Sequence, residues 1–254
     1  MNLYVQQNQP PGVPPLQLTG ERTLPDVPAE NYWYRRHLVV YEWIGARVIG
    51  KRVLDMACGE GYGSEVLSRS AATVLGVDGN PEAHEHARLR YVRQNLRFEW
   101  GAVETYGEPG AFDAVVFLQT IEHVQDPVAV LEHFRSLLAP GGTVYVSTPN
   151  LLTLAPPGAA KSSNPWHVRE YRADEFRELC VTVFGEVEVL GLFHARKLAV
   201  HARAIELGWD TVHKALRLTK PFYDWFTPAI ATSDFALRAD KLDAALDFLA
   251  ICRV

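Results

Sequence analysis

The sequence is short of cysteine. The three it has, Cys58, Cys180 and Cys252, stand far apart and form no CxxC pair. That excludes a thiolate metal knuckle and a disulfide framework, and it points to a reducing compartment. No apolar run approaches the roughly 20 residues that span a bilayer. No basic segment followed by an apolar stretch opens the chain. The expectation is a cytoplasmic protein without stable membrane insertion. An excess of positive charge is missing too: 25 Lys and Arg face 30 Asp and Glu, a formal charge of -5. A general affinity for nucleic acid or an anionic surface is therefore disfavoured, although a local basic patch is still allowed.

What is present is an ordinary globular composition, 48% hydrophobic over 254 residues, enough for one large domain. The first 17 residues are rich in Gln and Pro and read as a mobile tail, with order expected from Leu18. Residues 18–49 read as a cover, and ENYWYRRHLVVYEW, Glu30 to Trp43, starts the first helix. From Lys51 strand and helix alternate. Short strands are expected at 52–56, 73–78, 96–100, 112–118, 143–147, 187–193 and 246–254. Asn80-Pro81 and Asp126-Pro127 are cap-plus-proline helix starts. This order predicts an α/β fold, a Rossmann-like sheet of about seven strands with helices on both faces, mostly parallel with an antiparallel last strand. Residues 195–240 read as a largely helical insertion before that strand. Residues 18–254 would form a single domain.

The first βα turn reads Asp55-Met56-Ala57-Cys58-Gly59-Glu60-Gly61-Tyr62-Gly63. Alternate glycines let a ligand approach the backbone. The spacing is GxGxG, not the GxGxxG of a diphosphate turn. This disfavours a nicotinamide dehydrogenase. Asp55 and Glu60 would repel a diphosphate but suit a cofactor with an ammonium and a sulfonium. Asp78, closing the second strand, is placed to accept hydrogen bonds from ribose hydroxyls.

VLDMACGEGYG, VDGNPEA, FDAVVFLQTIEHVQDP and LLAPGGTVYVSTPN resemble, in order, the consecutive motifs of class I S-adenosylmethionine-dependent methyltransferases over roughly residues 50–150. The resemblance implies that Asp55, Ala57, Gly59, Gly61 and Tyr62 surround the methionine part and that Asp78 and Gly79 hold the ribose. Ala102 and Val103 would meet the adenine through backbone groups, Ala102 replacing the usual acidic residue. Gln119 and Thr120 would sit near the transferred methyl. LTGERTLPDVPAENYWYRRH, NPWHVREY and GLFHARKL are further similar to actinobacterial, including mycobacterial, sugar O-methyltransferases of methylated-polysaccharide biosynthesis. That implies a small-molecule carbohydrate substrate, no nucleic acid, and a monomer or dimer.

A hydroxyl acceptor needs help in losing its proton. His123 is the candidate base, with Glu122 orienting it or binding substrate. On a helical turn, Gln119, Glu122 and His123 would share a face. The pattern then resembles the ExxEH metal motif of ubiquinone-pathway O-methyltransferases, with Gln119 in place of a Glu. Glu122 and His123 thus become possible ligands for Mg2+. Packing alone is the other reading of this pair. His167, in NPWHV, is a second base, a metal ligand or a loop anchor. His194 is a weaker candidate, while His84 and His86 read as solvated. Glu21, Arg22, Tyr32, Trp33, Arg35, Arg36 and His37 form an aromatic–basic cluster, read either as a cover in which Arg36 would pair the cofactor carboxylate or as a helix packed on the sheet edge with solvated arginines. Arg196, Lys197, Arg203, Lys214, Arg217 and Lys220 interleave with aromatics in the insertion, which would be an acceptor lid, an interface or a solvated face. The best reading is a sugar O-methyltransferase. Its rivals are a small-molecule N- or C-methyltransferase and a non-catalytic cofactor-binding regulator.

Overall fold

A computed structural model describes every residue except 1–5, 7, 8, 21, 157 and 217. Glu21 and Arg217 of the expected clusters lie outside the described residues. Eight strands form one sheet in the order β3-β2-β1-β4-β5-β8-β6-β7. They are β1 Arg52–Met56, β2 Thr73–Asp78, β3 Leu96–Trp100, β4 Phe112–Leu118, β5 Leu138–Pro149, β6 Glu186–His194, β7 Phe235–Arg238 and β8 Asp247–Arg253. The first five are parallel. β8 inserts antiparallel between β5 and β6, and β7 pairs antiparallel with β6. The helices are α1 Asn31–Gly45, α2 Tyr62–Ser68, α3 Pro81–Arg90, α4 Pro127–Leu137, α5 Leu151–Leu154, α6 Ala173–Val183, α7 Arg196–Glu206, α8 Trp209–Ala215 and α9 Thr219–Phe226. None among the described residues is long and apolar enough to cross a membrane.

Strand alternation divides the core in two. Leu54, Met56, Val115 and Phe117 point to one face and meet Val130, Phe134 and Phe176 of α4 and α6. Val53, Ala114 and Val116 point to the other and meet Leu38, Tyr41, Val66 and Phe226 of α1, α2 and α9. Both cap-plus-proline starts form: Asn80 accepts from the amides of Glu82 and Ala83, and Asp126 from that of Ala129.

Three expectations are corrected. The sheet has eight strands, because β7 lies inside the stretch read as helical. Its four residues, FALR, are too few for a period to show. The expected tail is not detached: Gln6, Val13 and Leu16 are buried, and Gln6 donates to Glu60 at 3.1 Å. His86 is fully buried rather than solvated, its ring nitrogens facing the Pro14 carbonyl and Glu60.

Candidate active site

The tips of β1, β2 and β4 open into a cavity of about 350 Å³ lined by Ala57, Cys58, Gly59, Tyr62, Asp78, Leu118, Gln119, Thr120 and His123, among others. Thr19, Arg22 and Thr23 of the N-terminal segment and His37 and Tyr41 of α1 close its other side. A second cavity of about 390 Å³ shares Thr120 and His123 and adds Val103, Glu104, Val124, Asp126 and Val130. Both lie in the size range of small-molecule sites. Ala57 and Gln119 hold left-handed backbone at φ 57° and 52°. Non-glycine residues seldom adopt it, and such strain collects at functional sites.

Asp78 shapes the floor. Its carboxylate accepts from the Gly59 amide at 2.8 Å and the Asn80 amide at 2.8 Å, which ties the glycine turn to the tip of β2. A carboxylate accepts about four hydrogen bonds, so capacity for ribose hydroxyls is left. Arg22 lines the same cavity and has neither a hydrogen-bond nor an ion-pair partner among the described residues. His37 is also there, and burial pushes its pKa down to about 4. It is neutral at physiological pH and offers no repulsion to a cation.

Other expected cofactor contacts stand elsewhere. Arg36 does not face the cavity: its guanidinium forms a bidentate pair with buried Asp247, both bonds at 2.6 Å, and donates to the Leu246 carbonyl. Asp55 projects to the α1–α2 face, where Tyr41 Oη and Ser64 Oγ donate to it. It lies behind the cavity wall, and burial raises its pKa to about 7. Glu60 lines the cavity, but its carboxylate is committed to protein partners, gathering bonds from His86, Tyr91 and the Tyr62 amide and an ion pair with Arg90. Gly61 serves packing, since a Cβ there would meet Ala87 at 2.8 Å. Gly79 gives its carbonyl to Trp100. The Ala102 carbonyl accepts from the amides of Thr105 and Tyr106. Neither Gly79 nor Ala102 lines a cavity, whereas Val103 does.

After β4 the chain makes a 3-10 turn, Ile121–His123. Gln119 stays outside it and points its amide at Ser147 Oγ, 3.1 Å away, so the expected shared helical face does not form. Glu122 is buried and lines neither cavity. Thr148 donates to it at 3.1 Å, and burial raises its pKa to about 8. It does not orient His123. The Trp166 carbonyl does so, 3.0 Å from His123 Nδ1. A carbonyl only accepts, so in the neutral ring Nδ1 carries the hydrogen and Nε2 is the basic nitrogen. His167 packs edge-on against His123, ring centroids 5.0 Å apart. Its Nδ1 faces Glu170 at 2.7 Å and its Nε2 faces the Asn164 amide at 2.9 Å. With both nitrogens engaged and the ring outside both cavities, His167 is a support rather than a base.

Donor atoms of Glu122, His123 and His167 lie within 4.8 Å of one another. They do not fit Mg2+, which takes oxygen ligands in octahedral geometry. Two of the three donors are imidazoles, His167 has no uncommitted nitrogen, and the Glu122 carboxyl holds its proton near neutrality.

Sequence reasoning missed Thr19, Thr23, Cys58, Asn80 and Tyr41 as cavity residues. A signal existed for Tyr41, which follows His37 by one helical turn. No local pattern marks the threonines, because the N-terminal segment reaches the cavity only through the tertiary fold.

Residues 34–202 match the family described as Methyltransferase domain. The chain is 40% identical to a Mycobacterium tuberculosis protein named "Probable S-adenosylmethionine-dependent methyltransferase", over 93% of this chain and 89% of that one. It is 40% identical to a ubiquinone biosynthesis O-methyltransferase of Xanthomonas campestris over 43% of this chain and 48% of the other. An S-adenosylmethionine-dependent methyltransferase from Mesorhizobium loti shares the fold at 19% identity, with a TM-score of 0.55 over 84% of this chain and 98% of that one. The crevice at the strand tips and the family match together place this chain among the S-adenosylmethionine-dependent methyltransferases.

Proposed function

We propose that the protein methylates a hydroxyl of a sugar or oligosaccharide, in the biosynthesis of a methylated glucose or mannose polysaccharide. One observation carries this: His123 stands in the wall common to both cavities, with its tautomer set by the Trp166 carbonyl. A base is what a hydroxyl acceptor needs and what an amine acceptor can do without. Thr19, Thr23 and Thr120 line the first cavity, and polar residues of this kind match a polyhydroxylated acceptor. The similarity to a ubiquinone O-methyltransferase supports oxygen as the target.

When bound, S-adenosylmethionine supplies an electrophilic methyl group. Asp78 would accept from its ribose, and Arg22, not Arg36, would pair its carboxylate. Val103, Val124 and Val130 give the second cavity apolar walls suited to the adenine. The acceptor oxygen would bond to the methyl carbon that the cofactor supplies, with the electron pair of the carbon–sulfur bond leaving on sulfur. His123 Nε2 takes the hydroxyl proton. No metal enters this scheme.

The test is incubation with methyl-labelled S-adenosylmethionine and partly methylated glucosides and mannosides, with and without chelator. The expected product is a labelled methyl ether, formed equally in both conditions. Label on nitrogen or carbon acceptors alone would overturn the reading.

A further inference from the structure

The insertion that follows β6 presents an outer surface its packing does not explain. Inward, α7–α9 bury Leu198, His213 and Phe226 and stack Phe222 on His201, His213 and Phe226. A surface helix with its apolar stripe so satisfied is ordinarily polar on the far side. Here the far side sets large apolar side chains among charged ones. Val200 is 71% exposed, Leu207 88%, Leu216 61% and Trp225 71%, with Val212 and Leu218 also exposed. On α7 the outward residues Arg196, Val200 and Arg203, followed by Leu207 at the C-cap, recur at helical spacing, arginine alternating with aliphatic along one line.

Charge selects the occupant. The whole chain is acidic, yet residues 196–226 hold six Lys and Arg against three Asp and Glu. Those carboxylates pair with Arg203, Lys214 and Lys220 through bridges that are largely exposed, and such bridges hold little energy; Lys197 pairs with Asp234, just beyond the insertion helices. Arg196 is exposed and has no partner among the described residues. Basic side chains beside exposed leucine, valine and tryptophan are the composition of an interfacial helix surface, where long cations reach headgroups and the apolar side chains enter the acyl boundary.

We propose that the outer face of α7–α9 docks the protein on an anionic lipid bilayer. The position gives this a consequence for the enzyme. β5 and β6 both flank β8 antiparallel, so β6 runs with β4 and β1 and ends at the edge where the crevice opens. Asn31, at the start of α1, fastens that edge to the insertion through the carbonyls of Thr227, Pro228 and Ile230. The docking face is therefore anchored to the edge of the sheet at which the crevice opens.

The experiment is co-sedimentation of the full chain with vesicles of equal phosphatidylglycerol and phosphatidylcholine, and with phosphatidylcholine vesicles. The expected result is binding to the first, weakened by added salt, and little to the second. The double variant Leu207→Ser, Trp225→Ser should bind roughly tenfold or more weakly, and Arg196→Glu should weaken only the anionic case. Unchanged affinity of both variants for S-adenosylhomocysteine shows an intact fold. Failure of the wild type to sediment with anionic vesicles overturns the proposal, as does binding indifferent to the double variant. Self-association that the double variant abolishes, without vesicle binding, would overturn it in favour of a second copy of the chain.

Discussion

Individual residues divide into those that face the crevice and those that hold the wall, and their substitutions should separate accordingly. His123→Ala should lower turnover about 10²- to 10⁴-fold, the usual contribution of one general base, while calorimetry finds cofactor affinity little changed. Asp78→Ala should weaken cofactor binding by roughly 10- to 150-fold, the equivalent of one charge-assisted hydrogen bond at about 1.5–3 kcal/mol. The two arginines make a paired test. Arg22→Ala should weaken cofactor binding and leave the melting temperature alone. Arg36→Met strands Asp247 in the interior, a loss of about 3–5 kcal/mol of stability to be read from denaturant melts. Glu122 gives a pH signature. Its carboxyl is raised from 4.5 to about 8 by burial. Its contribution to stability is therefore full below its unfolded value and lost as pH climbs through the folded one. Glu122→Gln mimics the protonated form. It should match the wild type near pH 4.5 and melt higher near pH 8, by about 2–4 °C for each kcal/mol recovered.

Among the elements, the loop from α5 to α6 carries the proposed role of His123. Glu170 accepts from the Ser162 amide and hydroxyl and holds His167. The amides of Val168 and Arg169 donate to the Glu122 carbonyl. Together these bonds seat the Trp166 carbonyl on His123. Glu170→Ala should release the clasp and lower kcat more than it raises KM, with a displaced pH–rate profile. Glu170→Gln, which keeps an acceptor, should recover part of the rate. Helix α2 rests on a close approach: a Cβ on Gly63 would lie 2.1 Å from the Tyr41 ring. Gly63→Ala must therefore displace Tyr41 from Asp55 and the cavity wall, and the melting temperature should fall.

These scales also explain what the sequence disclosed. The strands from β1 to β4 were legible at the residue level, because short apolar runs between capped helices leave little choice of period. The placement of the glycine turn and Asp78 at the strand tips was legible for the same reason, and both line the cavity. Arg36 was misread because nothing local distinguishes an arginine aimed at a ligand from one aimed at Asp247, more than two hundred residues away. The Trp166 carbonyl was invisible because backbone acceptors leave no mark in side-chain identity. Glu60 was read as a cofactor contact, yet its partners arrive from the N-terminal segment and α3.

For the whole molecule, the sheet order follows from the family, and the family fixes the donor of the methyl group. Around the crevice, Thr19, Arg22 and Thr23 of the N-terminal segment and His123, seated by the clasp loop, are the groups the proposed acceptor would meet. The decisive measurement is single-turnover transfer of labelled methyl to a glucoside or mannoside acceptor, with wild type and His123→Ala compared at saturating cofactor. A methyl ether from the wild type and a rate at least about a hundredfold lower in the variant are expected. Equal rates in the two proteins would contradict a role for His123 as the base.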